Sequence, residues 1–278
     1  MKRDVEQAVT GNPAVDGAGV SLVRVLGHDT TMDFDPFLML DAFDSRDPND
    51  YIKGFPWHPH RGIETVTYLI SGRIEHGDSL GNKGEIVDGG CQWMTAGSGI
   101  LHQEMPKEAP RMLGLQLWLN LPAKDKMTPP KYNDIRDADV KVVREEGVTV
   151  RVISGAYKGV RGFMKGEHVK MTMLDVELKP NVAFLMETPP DETLFAYLIS
   201  GSGAFGASGR EQAEKRAVRF TPGDEAAFTA GPEGLRLVLF MALPLHEPIA
   251  WGGPIVMNTR EELRLAFDEL DRGTFIKK

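Results

Sequence analysis

The sequence contains a single cysteine, Cys91, so an intrachain disulfide bond is excluded. It has no apolar run near the ~20 residues that span a bilayer, and residues 1–13 lack the apolar core of a signal peptide. Cationic residues are outnumbered, because 32 Lys and Arg face 40 Asp and Glu, which gives a net charge of −8. The charge disfavours a polyanionic partner. We therefore expect a cytoplasmic protein, taken to be a monomer, that binds neither membranes nor nucleic acid directly.

The length and composition indicate two β-rich domains. A chain of 278 residues suits two domains of roughly 100–150 residues each. Its 30 Gly and 18 Pro favour many turns over long helices. Residues 113–121 alternate apolar with other residues, as a strand does, and residues 148–155 and 169–178 have the same strand-like character.

The chain also repeats itself. Residues 66–72 (VTYLISG) recur at 195–201 (FAYLISG), residues 94–97 at 220–223, and residues 113–122 at 235–244. The three offsets are 129, 126 and 122, in one order along the chain. Such slowly shrinking offsets predict two copies of one unit that differ by short loop deletions.

These observations predict an all-β protein with two tandem barrels. The first barrel is expected at residues 1–125, a linker with Pro129 and Pro130 at 126–142, and the second barrel at 143–278. One helix is expected at 259–271. Thr259 and Glu262 form a capping-box pattern before it, and Gly273 follows it. We expect this helix, which ends the second predicted domain, to pack against and seal a barrel.

Two pairs of residues in the first repeat have the spacing of metal ligands. In a strand, residues i and i+2 point to the same face, so His58 projects beside His60, and His102 beside Glu104. Two facing strands with these pairs would bring three imidazoles and one carboxylate to one point, a set suited to a divalent transition metal. The alternative is that they are hydrogen-bonded core residues, but several titratable groups inside a barrel are costly unless paired or metallated.

Glu64 complicates this assignment. It lies four residues after His60 and has the same strand parity, so parity alone does not choose between Glu64 and Glu104. The remaining histidines, at positions 28, 76, 168 and 246, have no partner at ligand spacing and are interpreted as surface or core residues.

The second repeat serves as an internal control for the ligand assignment. Shifting His58 and His60 by 129 gives Glu187 and Pro189, and shifting His102 and Glu104 by 126 gives Phe228 and Ala230. We therefore expect the second barrel to keep the fold but to bind no metal.

These residues resemble known motifs. Gly54, His58, His60, Glu64 and Gly72 follow the first cupin motif. A second, relaxed cupin motif includes Gly89, Gly97 and His102, with Thr95 where cupins usually have proline. More specifically, residues 57–68 (WHPHRGIETVTY), 92–104 (QWMTAGSGILHQE) and 35–41 (DPFLMLD) resemble the pirin family.

The resemblance implies a bicupin of two double-stranded β-helix (jelly-roll) barrels, with one metal ion in the N-terminal barrel. The family pattern assigns the metal ligands to His58, His60, His102 and Glu104, and leaves Glu64 as an inward residue that hydrogen-bonds a ligand imidazole. Iron(II) is the expected metal, with manganese, nickel, cobalt, copper and zinc as alternatives. Some family members resemble quercetin 2,3-dioxygenases, and others, in animals, are nuclear transcription co-regulators.

The sequence thus leads to a ranked set of functions. The first is oxidative ring cleavage of a flavonol-like aromatic substrate by O₂ at the metal, with Glu104 as the catalytic base. The second is a non-enzymatic, metal-dependent module that binds a protein partner, with the oxidation state as its switch. The third is a structural zinc site. The residues that flank the ligands are Phe55, Trp57, Met94 and Met105, and each is expected either to line an apolar pocket for a flat aromatic molecule or to belong to the core.

Overall fold

The computed structural model describes residues 1–277, which form mostly β-strands. The first twelve strands are β1 (Val5–Thr10), β2 (Asn12–Asp16), β3 (Val20–Leu26), β4 (Phe37–Ser45), β5 (Phe55–His60), β6 (Ile63–Ser71), β7 (Arg73–Asp78), β8 (Lys83–Val87), β9 (Cys91–Thr95), β10 (Ile100–Pro106), β11 (Met112–Asn120) and β12 (Lys131–Ile135). The others are β13 (Lys141–Glu145), β14 (Val148–Ser154), β15 (Ala156–Tyr157), β16 (Val160–Arg161), β17 (Thr172–Leu178), β18 (Ala183–Glu187), β19 (Thr193–Phe205), β20 (Arg210–Ala213), β21 (Arg216–Phe220), β22 (Glu225–Ala242), β23 (Ala250–Gly252) and β24 (Ile255–Met257).

The described residues contain one α-helix, α1 (Arg260–Asp271), and short 3₁₀ turns at His28–Thr30, Pro48–Asp50, Ala123–Asp125 and Asp137–Asp139. The predicted capping box is present, since Thr259 Oγ1 accepts from the Glu262 amide at 3.2 Å and Glu262 Oε2 accepts from the Thr259 amide at 2.9 Å. Gly273 has a φ of +69° just after the helix. None of the helices in residues 1–277 is long and apolar enough to cross a membrane.

The chain divides into two compact units. The N-terminal unit comprises residues 12–31, 37–137 and 245–278, and the C-terminal unit comprises residues 1–11, 32–36 and 138–244. The first eleven residues thus belong to the C-terminal unit, and the last part of the chain, with α1, belongs to the N-terminal unit. The predicted boundaries of 1–125, 126–142 and 143–278 assume that each unit is one continuous stretch of chain, whereas the observed units are discontinuous. The contacts that fix each chain end are nonlocal, so no local pattern in the sequence reveals them.

The N-terminal unit contains two antiparallel sheets. One has the order β5-β10-β7-β8, and the other has the order β12-β9-β6-β11-β4-β3-β2. Part of the predicted linker is strand β12, which pairs with β9 from Lys131–Thr95 to Ile135–Cys91. The segment has regular structure because the two prolines precede the strand rather than interrupt it.

The C-terminal unit is built around one large sheet with the order β1-β21-β19-β22-β17-β14-β13, to which β18 and β20 add as branches. The repeat found in the sequence is visible in the register. Val66 pairs with Trp93 in the N-terminal unit, and Phe195 pairs with Arg219 in the C-terminal unit, at the offsets of 129 and 126. The predicted all-β class with a short C-terminal helix is confirmed.

Candidate metal centre

Three predicted ligands converge in the smaller sheet of the N-terminal unit. His58 and His60 lie on β5, His102 lies on β10, and His58 is the cross-strand neighbour of His102. One ring nitrogen from each lies within 4.8 Å of the others. Within residues 1–277, this is the one group of three or more His, Cys, Asp or Glu with that geometry. The spacing of two residues between His58 and His60 produces this convergence because alternate strand residues share a face.

The hydrogen bonds of His58 and His60 fix their tautomers. His58 Nδ1 lies 2.8 Å from the Pro56 carbonyl oxygen, and His60 Nδ1 lies 3.0 Å from the Pro254 carbonyl oxygen. A carbonyl can only accept, so both Nδ1 atoms carry the proton. The two Nε2 lone pairs then face each other at 3.1 Å. This arrangement is repulsive unless a cation lies between the nitrogens, as in a metal site.

His102 fits a metal site for a second reason. It is fully buried, and neither of its ring nitrogens has a hydrogen-bond partner among the described residues. Burial lowers the pKa of His60 to about 3 and that of His102 well below its usual value, and neighbouring histidines lower both further. Both rings are therefore neutral, which is the form that coordinates a metal. The residues present fit a bound divalent transition metal.

Glu104 lies two residues after His102 on β10 and is buried. It is not part of the three-histidine cluster. The Thr67 hydroxyl lies 2.9 Å from Glu104 Oε1 and 2.6 Å from Gln116 Oε1, so the carboxylate is held by a polar chain. Burial raises the pKa of the Glu104 carboxyl, while His58 and Thr67 oppose that shift. Its role as a fourth ligand stays a prediction.

Glu64 is fully buried, and its Oε1 accepts a hydrogen bond from Thr95 Oγ1 at 2.7 Å. It lies on β6 at odd spacing from Thr67, with regular pairing to β9 between them, so the two side chains point to opposite faces. The parity count from His60 does not hold because Gly62, with a φ of +77°, separates β5 from β6. The side chain of Glu64 therefore lies on the face of β6 opposite to Thr67, whose hydroxyl contacts Glu104. The expected hydrogen bond from Glu64 to a ligand imidazole stays a prediction.

A pocket of about 600 Å³ opens onto His58, His60 and Glu104. Its aromatic wall comes from Phe43, Phe55, Trp57, Trp118 and Trp251. Of the four apolar residues expected there, Phe55 and Trp57 line it. Met94 instead packs in the core with Ile63 and Ile100, and Met105 lies away from the pocket lining.

The sequence did not single out the polar wall of this pocket. Arg24 binds Asp41 through two hydrogen bonds of 2.9 and 2.7 Å, and its Nη2 also binds Asp16 at 2.7 Å. Asp41 is only 3% exposed. The signal that could have found it is an acidic residue within the apolar run of β4. His28, interpreted as an isolated surface or core residue, lines the pocket and stacks on Trp251 at 3.9 Å.

The C-terminal unit has apolar residues where these ligands lie. Phe184 pairs with Phe228 there, as His58 pairs with His102, and Met186 pairs with Ala226, as His60 pairs with Ile100. The counterparts of His58, His60, His102 and Glu104 are therefore Phe184, Met186, Phe228 and Ala230. The predicted counterparts Glu187 and Pro189 were wrong by three residues, because the connection from β18 to β19 is three residues longer than that from β5 to β6.

A sheet architecture present twice, with a histidine centre in one copy, defines a bicupin-type protein. Two family profiles match the chain, Pirin at residues 19–119 and the Pirin C-terminal cupin domain at residues 173–276. The chain belongs to the pirin family.

Similar proteins cover nearly the whole chain. A putative quercetin 2,3-dioxygenase from Pseudomonas aeruginosa is 42% identical, covering 98% of this chain and 97% of the relative. A pirin-like protein from Caulobacter vibrioides is 44% identical, covering 98% and 99%. The crystal structure of a quercetin 2,3-dioxygenase from Acinetobacter baumannii superposes with a TM-score of 0.89 at 30% identity, covering 99% of each chain.

Proposed function

We propose that this chain is a pirin-type, metal-dependent dioxygenase that cleaves the ring of a flavonol-like substrate with O₂. The observation that carries the proposal is the set of imidazole nitrogens at His58, His60 and His102 beside an aromatic pocket. The names of the similar proteins from P. aeruginosa and A. baumannii support it.

The proposed ligands are His58, His60, His102 and Glu104, and the proposed metal is iron(II). If all four residues held a six-coordinate ion, two positions would remain for other molecules, unlike in a closed structural site. When bound, such an ion lowers the pKa of a coordinating hydroxyl group and supplies the redox chemistry that O₂ requires.

Glu104 is the proposed base that accepts the proton of the substrate hydroxyl. Its carboxylate borders the pocket, and Thr67 holds one of its oxygens. Burial raises the pKa of the carboxyl, which makes its ionised form a better proton acceptor.

The pocket walls are suited to a flat, hydroxylated molecule. Trp118 and Trp251, with ring centroids 5.8 Å apart, offer aromatic faces for stacking. The pocket lining also includes polar groups, among them Arg24, Asp41 and Asp16, and a few placed polar groups are what orient a ligand in an apolar pocket. We infer that Arg24 and Asp16 contact a polar group of the substrate.

The test is O₂ consumption by protein reconstituted with iron(II), with quercetin and with 3-hydroxyflavone, which lacks quercetin's other hydroxyl groups. Metal content is measured in the same samples. We expect turnover that requires metal and is absent in His102→Phe. In Arg24→Leu, we expect a higher KM for quercetin but little change for 3-hydroxyflavone.

A non-enzymatic, metal-dependent partner-binding protein is the second candidate. The observation that favours it is Trp57, which is 53% exposed next to His58, since exposed tryptophans are enriched at protein interfaces. Metal-loaded wild type that consumes no O₂ with any flavonol would contradict the dioxygenase and favour this alternative.

A further inference from the structure

The last part of the chain contacts the candidate metal centre directly. The C-terminal segment, defined here as residues 250–275, comprises β23, β24 and α1. Its Pro254 carbonyl accepts the Nδ1 proton of His60 at 3.0 Å. The same segment places Trp251 and Gly253 in the pocket wall. A residue nearly 200 positions away thus determines which nitrogen of His60 faces His58.

Arg61, the residue after this ligand, anchors the segment. Arg61 is 2% exposed, and its guanidinium lies 2.7 Å from Glu269 Oε2 and donates to the Phe275 carbonyl at 2.7 Å. It also lies 4.1 Å from the centre of the Phe275 ring. On the other side, its Nε donates to the Ser98 carbonyl at 2.8 Å. A buried guanidinium is costly unless it is fully partnered, and the C-terminal segment supplies most of its partners.

The backbone next to Arg61 is joined to the segment as well. The Val256 amide donates to the Arg61 carbonyl at 3.1 Å. Lys126 Nζ donates to the carbonyls of Gly62 and Val256, both at 2.9 Å. A Cβ at Gly62 would collide with the Val256 carbonyl oxygen. Glycine is required at this position both for its φ of +77° and for the close approach of the segment.

The turn before His102 also packs closely against the C-terminal segment and also requires glycine. Gly99 has a φ of +135°, and a Cβ there would lie 2.9 Å from the Phe275 carbonyl oxygen. The connections that carry His60 and His102 therefore both pack against one segment. These contacts come in addition to the pairing of β5 with β10.

We propose that the C-terminal segment is a positioning element of the metal centre. Pro254 holds His60 in the Nδ1-protonated tautomer, and the contacts of Arg61 with Glu269 and Phe275 hold Pro254 in place. Hydrogen-bond partners of metal ligands commonly change metal affinity by roughly 10–100-fold. Metal retention by this protein accordingly depends on side chains in its C-terminal helix and on Phe275. The proposal requires a metal at the three histidines but not the dioxygenase reaction.

The experiment uses full-length protein loaded with cobalt(II), whose visible absorption reports ligand geometry. The two anchor variants are Glu269→Ala, which removes the carboxylate paired with Arg61, and Phe275→Ala, which removes the ring beside the Arg61 guanidinium but keeps the Phe275 carbonyl. Arg264→Ala, at an exposed position of the same helix, is the matched control. We expect cobalt(II) affinity to fall roughly 10–100-fold in both anchor variants, with an altered spectrum. Glu269→Gln keeps an acceptor oxygen for Arg61 and should recover most of the affinity.

Wild-type affinity and spectrum in both folded anchor variants would overturn the proposal. If either variant fails to fold, Pro254→Gly decides instead, because it loosens the carbonyl while leaving Arg61, Glu269 and Phe275 unchanged. An unaltered cobalt(II) spectrum and affinity in Pro254→Gly would equally overturn it. Wild type that binds cobalt(II) but lacks flavonol turnover contradicts only the proposed reaction, whereas wild type that binds no cobalt(II) refutes the metal centre itself.

Discussion

The two units place different side chains at the same positions of the same strand pair. In the N-terminal unit, His58 and His102 face each other across β5 and β10, with their ring centroids 4.3 Å apart. In the C-terminal unit, the equivalent Phe184 and Phe228 stack at 4.8 Å across β18 and β22. Phe228 also stacks on Phe205 at 5.1 Å. One interior is arranged for coordination, and the other is an apolar core.

This difference indicates that the interior of the C-terminal unit contributes stability, whereas the interior of the N-terminal unit contributes candidate metal ligands. Burying an aromatic ring contributes roughly 1.5–3 kcal/mol, so the phenylalanines stabilise the C-terminal unit without a ligand. Buried imidazoles without partners are unfavourable, because each loses hydrogen bonds to water. The histidine cluster is therefore not required by the fold, and bound metal should stabilise the N-terminal unit selectively.

The largest effect on metal binding should follow from replacing a histidine of the N-terminal unit with the residue at the equivalent position of the C-terminal unit. His102→Phe gives the N-terminal unit the residue found in its counterpart and removes one imidazole. We expect metal content, measured by elemental analysis after iron reconstitution, to fall from about one ion per chain to near zero. Affinity should fall by more than the roughly 100-fold that the loss of a ligand's hydrogen-bond partner gives.

Phe228→His is the reverse control. We expect no gain of metal, because Phe184 has no ligand atom and the Met186 thioether is a weak ligand for a divalent transition ion. Retention of the ion in His102→Phe, or two ions per chain in wild type, would contradict this division between the units.

The second prediction compares two buried glutamates of the N-terminal unit. Glu104→Gln keeps the size of the side chain but removes its charge and basicity, so we expect nearly all turnover to be lost and metal retention to be weakened. Glu64→Gln should retain metal and part of the activity, with at most the roughly 10–100-fold loss typical of a residue outside the ligand set. Metal content and O₂ uptake are measured on the same samples. The opposite ranking would contradict the assignment of Glu104 as ligand and base.

The third prediction concerns the apolar interior of the C-terminal unit. Phe228 is 2% exposed and stacked on two rings. Phe228→Ala should lower the free energy of unfolding by about 3–5 kcal/mol, because truncation leaves a cavity. Denaturant unfolding measures this change, and Phe228→Leu should lose less. Metal affinity at 25 °C should be unchanged, and a matching loss of metal would show that the two interiors are not independent.

The sequence predicts well those features that depend on residues close together in the chain. The spacing of His58 with His60 and of His102 with Glu104 is informative because strand alternation is a local property. The capping box at Thr259 is local for the same reason. The parity count to Glu64 was misleading because it crossed the turn at Gly62. The counterpart Phe184 was missed because a three-residue loop difference lies between β18 and the repeated motif in β19.

The nonlocal parts could not be predicted in this way. The acceptor of His60 is a backbone carbonyl at Pro254, and any residue type could supply such a group. The placement of the chain ends in the two units depends likewise on pairings such as that of β1 with β21. Lys126 lies in the predicted linker, yet it is only 2% exposed and donates to three acceptors. Nothing around it in the sequence marks it as a buried residue.

The smallest predicted effect is the pH dependence that Lys126 adds to the N-terminal unit. Its Nζ donates to the Gly62 and Val256 carbonyls at 2.9 Å and to Asn120 Oδ1 at 2.6 Å. Burial lowers the pKa of Lys126 to about 7, from the usual 10.5, although three acceptors favour the charged form. Lys126→Met should destabilise the protein at pH 7, since a buried polar group left without a partner costs roughly 1–3 kcal/mol.

The sign of the pH effect follows from proton binding in the two states. Between pH 7 and 10.5, the unfolded chain holds a proton on Lys126 that the folded chain has released. Unfolding free energy therefore rises with pH in this window, by at most about 1.4 kcal/mol per pH unit. Denaturant unfolding of wild type and Lys126→Met at pH 7, 8 and 9 isolates this contribution. We expect the stability advantage of wild type to grow with pH. An advantage that stays constant from pH 7 to 9 would mean that the three acceptors outweigh burial and keep Lys126 charged in the folded protein.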